Sequence, residues 1–456
     1  MIIIGIIVSI ILFSVIVIVH ELGHFSTARF FGVKVEEFGL GIPPRAKKLF
    51  TDKKGTLYSL NWLPIGGFVK LTGEMPNSFL VYKSNGELYN NENLENDLEK
   101  GIAVYNSENI KISVEDSKMI LDKLKENNAG YNLMNKPAWQ QAIIILAGVF
   151  MNFLLASLIF TILFFIGVKP IGINTKIETN LDLKLIPTYE QSIKSGLLSK
   201  ENGFVLSPLE GSISEKAGIK QGDIVKGIIN NDGIIININE TEKLIEIIGE
   251  NANKELVFDI LRNGENIKIP ITPLVNNQSI GTEKNGEKGK IGSYIGENVV
   301  LNKNFIYKYD LFDSLKYGFL ETYNQSLLTF KGLGILIKKI FNPKTAEERT
   351  EAISEVSGPI GIVDFVSSSL SAGITFLFIL GAIISINLGV FNLLPIPALD
   401  GGRFIFITIN GLIKRIFGKK AINEKVEGLI HVGFFIILIA LSVIIAYNDI
   451  NKIISQ

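Results

Sequence analysis

The chain has 456 residues, 47% of them hydrophobic, and a positive mean hydropathy of +0.32. Such a composition, combined with long uncharged runs, indicates a membrane protein. Its 45 acidic and 45 basic residues balance, so no net positive charge is available to attract nucleic acid. The absence of cysteine excludes disulfides, thiolate metal ligands and cysteine nucleophiles, and any imidazole chemistry must use His20, His24 or His431.

Four apolar segments are long enough to cross a bilayer, at residues 1–32, 138–168, 373–402 and 428–447. The first resembles a signal peptide only superficially, because no Lys or Arg precedes it and it runs on past His20. Basic residues concentrate in the loops 33–137 and 403–427, which are therefore predicted to be cytoplasmic. The sequence thus predicts a mainly α-helical, multi-pass protein of the plasma (inner) membrane, with residues 169–372 and both termini outside.

The segments between the spans carry their own patterns. Two strand-like runs in residues 56–75 predict a β-hairpin, and the polar stretch 77–135 predicts either a small inserted unit or partial disorder. Residues 203–273 combine strand and helix patterns typical of one compact α/β domain. Residues 311–341 predict an amphipathic helix on the membrane surface, which makes membrane lipid an expected partner.

Residues 20–24 read HELGH inside the first apolar segment. Positions i and i+4 share one face of a helix, so His20 and His24 can bind one metal ion. Glu21 stands beside the first ligand, where it can reach a water bound to that metal and carry its proton to a leaving amine. The pattern can arise by coincidence, but ionisable groups in a span are costly, about 2.5–3.5 kcal/mol for a central charge. We therefore interpret it as a zinc site.

Catalytic zinc usually takes three protein ligands. The third candidate is Asp400, in the run NLLPIPALDGGR at 392–403, where two prolines break the helix and two glycines permit unusual backbone angles. Irregular backbone at membrane depth occurs where it is buried in protein or lines a wet cavity. Considered alone, Asp400 fits a turn or helix end equally well. The rival ligand is His431, for which a packing or hydrogen-bonding role is favoured.

Several motifs together carry a family resemblance: HELGH at 20–24, GGFVKLTGE at 66–74, NKPAWQQA at 135–142, SGPIGI at 357–362 and NLLPIPALDGG at 392–402. In this order, over nearly the whole chain, they resemble the site-2 protease family of intramembrane zinc metalloproteases (peptidase family M50), close to the bacterial regulator of sigma-E protease. The resemblance implies that His20, His24 and Asp400 bind zinc and that Glu21 is the catalytic base. It also implies single-span membrane substrates, such as anti-sigma factors already trimmed outside, or remnant signal peptides.

Two departures from the family pattern stand out. The second span of the family usually carries Ala-Gly-Pro-x-x-Asn, whereas this chain has Val149 at the proline position. The insert 77–135 is longer than the family pattern implies, and the sequence gives it no role.

Residues implied to contact substrate lie in two places. The run 66–74 resembles a family element that dips toward the membrane, where an edge strand can pair with an unwound substrate, although a plain structural hairpin fits the local sequence as well. The implied substrate-binding residues are Gly67, Phe68, Val69, Asn152, Asn392 and Pro397.

The segment 203–273 contains SISEKAGIKQGD, which resembles a PDZ domain. PDZ domains bind extended peptides at a sheet edge, so peptide termini or outer domains of substrates are expected there. A rigid spacer is the alternative, and both fit a size filter.

Two other function classes remain open from the sequence. An inactive PDZ-bearing scaffold would not need His20, Glu21, His24 and Asp400 intact. A metal transporter would show internal repeats and polar groups in several spans, whereas the sequence shows one such cluster.

Overall fold

The computed structural model describes residues 2–73, 94, 97–100, 102, 104–105, 111–113, 115–121, 130–175, 177–229, 235–238, 240–275, 288–356, 358–418 and 424–454. The chain forms two compact units, one of residues 1–171, 176–186 and 307–456 and one of residues 172–175 and 187–306. Each unit is described by itself.

The helices of the described chain are α1 (Ile2–Phe30), α2 (Ala138–Ile166), α3 (Tyr189–Ser195), α4 (Ile213–Lys216), α5 (Thr241–Glu250), α6 (Leu311–Phe341), α7 (Ala346–Glu355), α8 (Pro359–Ser369), α9 (Ile374–Leu393), α10 (Asp400–Phe417) and α11 (Glu424–Ile454). Short 3-10 helices lie at Leu133–Asn135 and Leu370–Ala372. The strands are β1 (Val35–Thr51), β2 (Leu57–Leu71), β3 (Leu198–Pro208), β4 (Asp223–Ile229), β5 (Ile235–Asn237), β6 (Leu256–Arg262), β7 (Glu265–Ile271), β8 (Leu274–Val275), β9 (Gly289–Lys290) and β10 (Ser293–Leu301).

Among the described residues, four helices are long and apolar enough to cross a membrane: Ile3–Phe30, Ala138–Ile166, Ile374–Leu393 and Val426–Lys452. The chain thus has the four apolar helices that the sequence predicted, although the third ends at Leu393, before the end of the predicted segment 373–402. Two of them, α1 and α2, approach closely, since a Cβ on Gly23 would overlap the carbonyl of Ala147. Inside a membrane, water does not drive helices together, and small residues at a crossing allow the two backbones to pack closely instead. The crossing sets α2 against the HELGH segment.

The first two strands form a bent antiparallel sheet beside α1. Residues 35–40 pair with 67–71 on one side and with 57–60 on the other, as Phe38 shows by facing both Val69 and Tyr58. The sequence predicted that the two runs within 56–75 pair with each other. That pairing is wrong, because both runs pair with 35–40. The strand at 35–51 was missed because two prolines and several charges interrupt its pattern.

The helix α6 packs against α2 and α9 with its polar residues inward. Glu321 is buried and accepts hydrogen bonds from the N–H groups of Lys184 and Leu185 (2.8 and 3.2 Å). Phe312 and Phe319 are exposed. The predicted 311–341 helix is therefore present, with a polar buried face and an apolar exposed one.

Near its C-terminal end, the last span is joined to the start of α8. Asp449 on α11 is buried, and its Oδ2 accepts hydrogen bonds from the N–H groups of Gly358 and Gly361 (both 2.9 Å) at the start of α8. A carboxylate is favourable at a helix N-terminus, where the backbone donors have no helical partner.

The second unit is larger than the predicted segment 203–273, since it reaches residue 306. Its main sheet has the order β10-β3-β4-β6-β7, with β5 paired to β4. Leu206, Ile228, Leu244 and Phe258 are completely buried in its core. The strand β10 completes this sheet by pairing with β3 from outside the predicted boundary.

Most of the predicted insert 77–135 lies outside the described residues. Its described part contains a small apolar cluster of Leu94, Leu98, Val104 and Ile120, each at most 9% exposed. This part of the insert therefore packs on itself.

Candidate metal centre

The helix α1 carries three of the four predicted site residues. His20 and His24 are buried, at 6% and 8% exposure, and their Nε2 atoms are 3.1 Å apart. Glu21 lies beside them on the same helix and is half-buried. The i,i+4 spacing thus turns both imidazoles toward one point, as the sequence predicted.

Asp400 arrives at the same point from the first residue of α10. Its Oδ2 lies 3.1 Å from His20 Nε2 and 3.4 Å from His24 Nε2. The tight turn before it requires the glycines that follow, since a Cβ on Gly401 or Gly402 would overlap the backbone carbonyls of residues 393–396. Residues almost 400 positions apart in the chain are thereby brought into one cluster.

The second ring nitrogen of His24 fixes its tautomer. His24 Nδ1 lies 2.9 Å from the carbonyl oxygen of Ile144 on α2. A carbonyl only accepts hydrogen bonds, so Nδ1 carries the proton and donates it. In the neutral ring Nε2 is then left with its lone pair directed at His20 and Asp400, the form in which imidazole binds a metal.

His20 is held in the same way by Asn152, which is completely buried. The Asn152 amide nitrogen lies 3.1 Å from His20 Nδ1, and its Oδ1 is buried without a hydrogen bond. Exchange of the amide N and O leaves the shape of the side chain unchanged. When Oδ1 faces the ring, it accepts a hydrogen bond from His20 Nδ1–H and is no longer unpaired. The Nε2 atom of the neutral His20 ring then keeps its lone pair. Asn152, for which substrate contact was predicted, lies against a ring of the cluster.

Three acceptor atoms therefore face one another in a buried place. Asp400 Oδ2 is itself buried without a hydrogen-bond donor. Such a group of lone pairs is repulsive unless a cation lies among them. With bonds of about 2.0–2.1 Å in a tetrahedral zinc site, neighbouring ligand atoms lie about 3.3 Å apart. The observed separations of 3.1, 3.1 and 3.4 Å fit zinc.

Gly148 on α2 closes this cradle and was not singled out by the sequence. A Cβ at this position would lie 2.7 Å from His20 Nε2 and nearer still to His24 Nε2. Any other residue would intrude on the atoms that face the metal position. The sequence offered one signal, since glycine in the interior of a helix is less favourable than alanine.

The remaining predicted residues lie near this cluster in different ways. Gly67, Phe68 and Val69 pair with 38–40, and Gly66 and Gly67 lie against Val17 and Ile18 on α1, within one helical turn of His20. Asn392 is half-buried in the last turn of α9, and Pro397 lies in the loop before Asp400.

His431, the rival ligand, has another partner. Its Nδ1 accepts a hydrogen bond of 2.8 Å from the N–H of Ala398, two residues before Asp400. Ala398 has a φ of +80°, in the left-handed region that is rare for residues other than glycine. His431 on α11 therefore holds the loop that carries Asp400.

The sequence profile of peptidase family M50 matches residues 8–440, nearly the whole chain. The chain belongs to peptidase family M50. Members of this family are zinc metallopeptidases, so the chain is a peptidase, in place of the scaffold or metal transporter that its sequence left open. With its four apolar helices, this M50 peptidase is a multi-pass membrane protein.

Similar proteins align with nearly the whole chain. It is 30% identical to zinc metalloprotease RasP of Geobacillus kaustophilus, over 97% of each chain. It is 29% identical to the regulator of sigma-W protease RasP of Bacillus subtilis, also over 97% of each. A putative zinc metalloprotease of Fusobacterium nucleatum is 28% identical over 98% of each.

Proposed function

We propose that this M50 peptidase is a zinc-dependent endopeptidase that cleaves single-span membrane proteins at membrane depth, with His20, His24 and Asp400 as zinc ligands. The observation that carries the proposal is the meeting of three buried acceptor atoms at 3.1–3.4 Å, two on the apolar helix α1 and one at the start of α10. The name of the Bacillus subtilis relative, a regulator of sigma-W protease, supports an anti-sigma factor as substrate. Remnant signal peptides are a second substrate of the same chemical class.

Each residue of the site has its own role in peptide hydrolysis. His20, His24 and Asp400 would hold zinc here, and the bound ion would lower the pKa of water and so supply a nucleophile at neutral pH. Glu21, beside His20 and half-buried, takes the proton of the attacking water and passes it to the leaving amine. Asn152 and the Ile144 carbonyl keep both imidazoles in the tautomer whose Nε2 faces the metal.

A transmembrane substrate must be unwound before attack, because a helix hides its carbonyls in its own hydrogen bonds. We propose that residues 66–71 of β2 receive the unwound segment as an added strand, with Gly67, Phe68 and Val69 in contact. Among the described residues this segment pairs on one side only, with 35–40. Ser14 on α1 donates to the Pro64 carbonyl (3.0 Å) and accepts from the Gly66 N–H (3.3 Å), which supports a position at membrane depth. Asn392 and Pro397 are proposed to line the same cleft.

We also propose that the second unit acts as a PDZ-like filter that meets peptide termini or outer domains of substrates. Its antiparallel sheet and the amphipathic helix α5 support that reading. In the proposed orientation, this unit and both termini are outside the cytoplasm, and 33–137 is inside.

The experiment is a liposome assay with a purified single-span substrate. Glu21→Gln keeps the side-chain size and removes the base, so turnover should fall about 10²–10⁴-fold while zinc content stays near one per chain. Glu190→Gln, the same change at an exposed residue of α3, should leave turnover unchanged. Undiminished cleavage by Glu21→Gln would remove Glu21 from the mechanism. A zinc-free wild-type protein that still cleaves would remove the metal.

A further inference from the structure

A cavity of about 320 Å³ lies near the end of α1, and a larger one of about 540 Å³ lies between the start of α2 and the second half of α10. Three cations line the larger one, Lys136 before α2 and Lys414 and Arg415 on α10, with the single acid Glu427 from α11. None of these three cations has an ion-pair partner within the part of the chain that the structure describes. The cavity therefore combines unneutralised positive charge with a volume in the usual range of ligand sites.

The surroundings of this cavity are apolar and lie where a span begins. Leu412 and Ile416 on α10 are exposed, at 55% and 69%. Trp139, at the first turn of α2, is also exposed and meets the ring of Phe31 edge to face. Aromatic residues at the end of a span favour the boundary between acyl chains and headgroups. An amphipathic helix with a cationic end and an apolar exposed face lies in that boundary.

We propose that this cavity binds the headgroup of an anionic phospholipid, whose acyl chains lie along the exposed apolar face of α10. Lys136, Lys414 and Arg415 bind the phosphate, and Leu412 and Ile416 contact the chains. Charge complementarity selects an anionic lipid over a zwitterionic one, since basic pockets between spans bind such headgroups. The bound lipid bridges α2 and α10, which touch directly where Gly411 lies against Ala138.

This site goes beyond the proposed peptidase function and does not depend on it. Cations in the last turn of a helix also complement its dipole, and long cationic side chains reach toward headgroups without binding any one lipid. A matched pair of variants distinguishes lipid binding in the cavity from these general effects of cationic side chains. Lys414→Gln/Arg415→Gln removes two cations from the cavity. Lys338→Gln/Lys339→Gln removes two adjacent cations from the last turn of α6, which does not line it.

The experiment is native mass spectrometry of the full-length protein in detergent, with phosphatidylglycerol or phosphatidylcholine added. The wild type should retain phosphatidylglycerol selectively. Each cation near the membrane surface raises the affinity for an anionic lipid roughly fivefold. Lys414→Gln/Arg415→Gln should therefore weaken the retention of phosphatidylglycerol about 25-fold. Lys338→Gln/Lys339→Gln should leave it unchanged. Circular dichroism confirms that each variant is folded, and Lys136→Gln gives an independent single-charge test from α2.

Three outcomes would overturn the proposal. The first is a wild type with no preference for phosphatidylglycerol. The second is an equal loss in both double variants, which would indicate a general attraction of surface charge. The third is equal binding of soluble glycerol phosphate, which would identify an anion site that needs no acyl chain.

Discussion

Gly148→Ala tests whether the space between the two histidines is a metal site. A Cβ there would lie 2.7 Å from His20 Nε2, where ordinary contact begins at 3.4 Å, so this atom must retreat by about 0.7 Å (3.4 − 2.7). His24 Nε2 must retreat further. Metal–ligand distances hold to within about 0.2 Å. Zinc affinity should therefore fall by more than the roughly 10–100-fold seen when an outer partner of a ligand is removed.

The fold should tolerate the same change. The atoms that must move are the ends of side chains, which can swing away, and alanine is favoured over glycine in a helix by about 0.5–1 kcal/mol. Gly433→Ala on α11 is the matched control, because a Cβ there meets nothing within 4 Å. Metal analysis of the purified proteins should find about one zinc per chain in the wild type and in Gly433→Ala. It should find little in Gly148→Ala, and the metal-free forms of the three proteins should melt at the same temperature, because bound zinc itself stabilises the folded state. Full zinc in Gly148→Ala would refute the position of the site.

Three further predictions concern the loop, the second unit and the orientation. His431→Leu should speed zinc loss to a chelator about tenfold, the effect of one buried hydrogen bond, whereas His431→Asn retains an acceptor for the Ala398 N–H and should stay near the wild type. Burial alone would raise the pKa of Asp223, but hydrogen bonds from Arg262 and a backbone N–H outweigh it and lower that pKa. The ion pair of Asp223 and Arg262 thus stabilises the fold fully above the unfolded pKa of Asp223, about 3.9, and this stabilisation is lost as pH falls through the folded pKa. Asp223→Asn should therefore lower the unfolding temperature at pH 7, and the difference from the wild type should shrink at pH 3. In a chain without native cysteine, Glu210→Cys should react with an impermeant maleimide in intact cells and Lys53→Cys only after permeabilisation; the reverse pattern would contradict the proposed orientation.

The sequence predicted the parts of the fold that depend on local pattern. Uncharged runs of about 20 residues define spans with little ambiguity, and HELGH needs only helical periodicity to place two imidazoles on one face. Asp400 was reached through the family motif, because no local rule relates it to residues nearly 400 positions earlier. Its approach to His20 depends on how α9 and α10 turn, which is a tertiary property.

Most of the missed features are non-local. The pairing of 35–40 with two segments of β2 cannot be read from 56–75, where the visible pattern suggested a hairpin closed on itself. The strand β10 pairs with β3, although it lies beyond residue 273, where the sequence predicted that the domain ends. The sequence does not distinguish the two roles open to Asn152, since a polar residue in a span fits substrate contact as well as support of a ligand.

The loop between α9 and Asp400 shows how irregular backbone persists at membrane depth. Hydrocarbon offers no hydrogen bonds, so each N–H in the loop needs a partner from the protein. Residues 395 and 397 are prolines and have no N–H. The N–H groups of Leu394, Ile396 and Leu399 donate to carbonyls within residues 391–396 (3.1, 2.7 and 3.1 Å). Only the Ala398 N–H needs a side chain from another helix, and His431 supplies it. Every N–H of residues 394–399 is thus satisfied without water, which helps the turn to hold the Asp400 carboxylate in place before a metal binds.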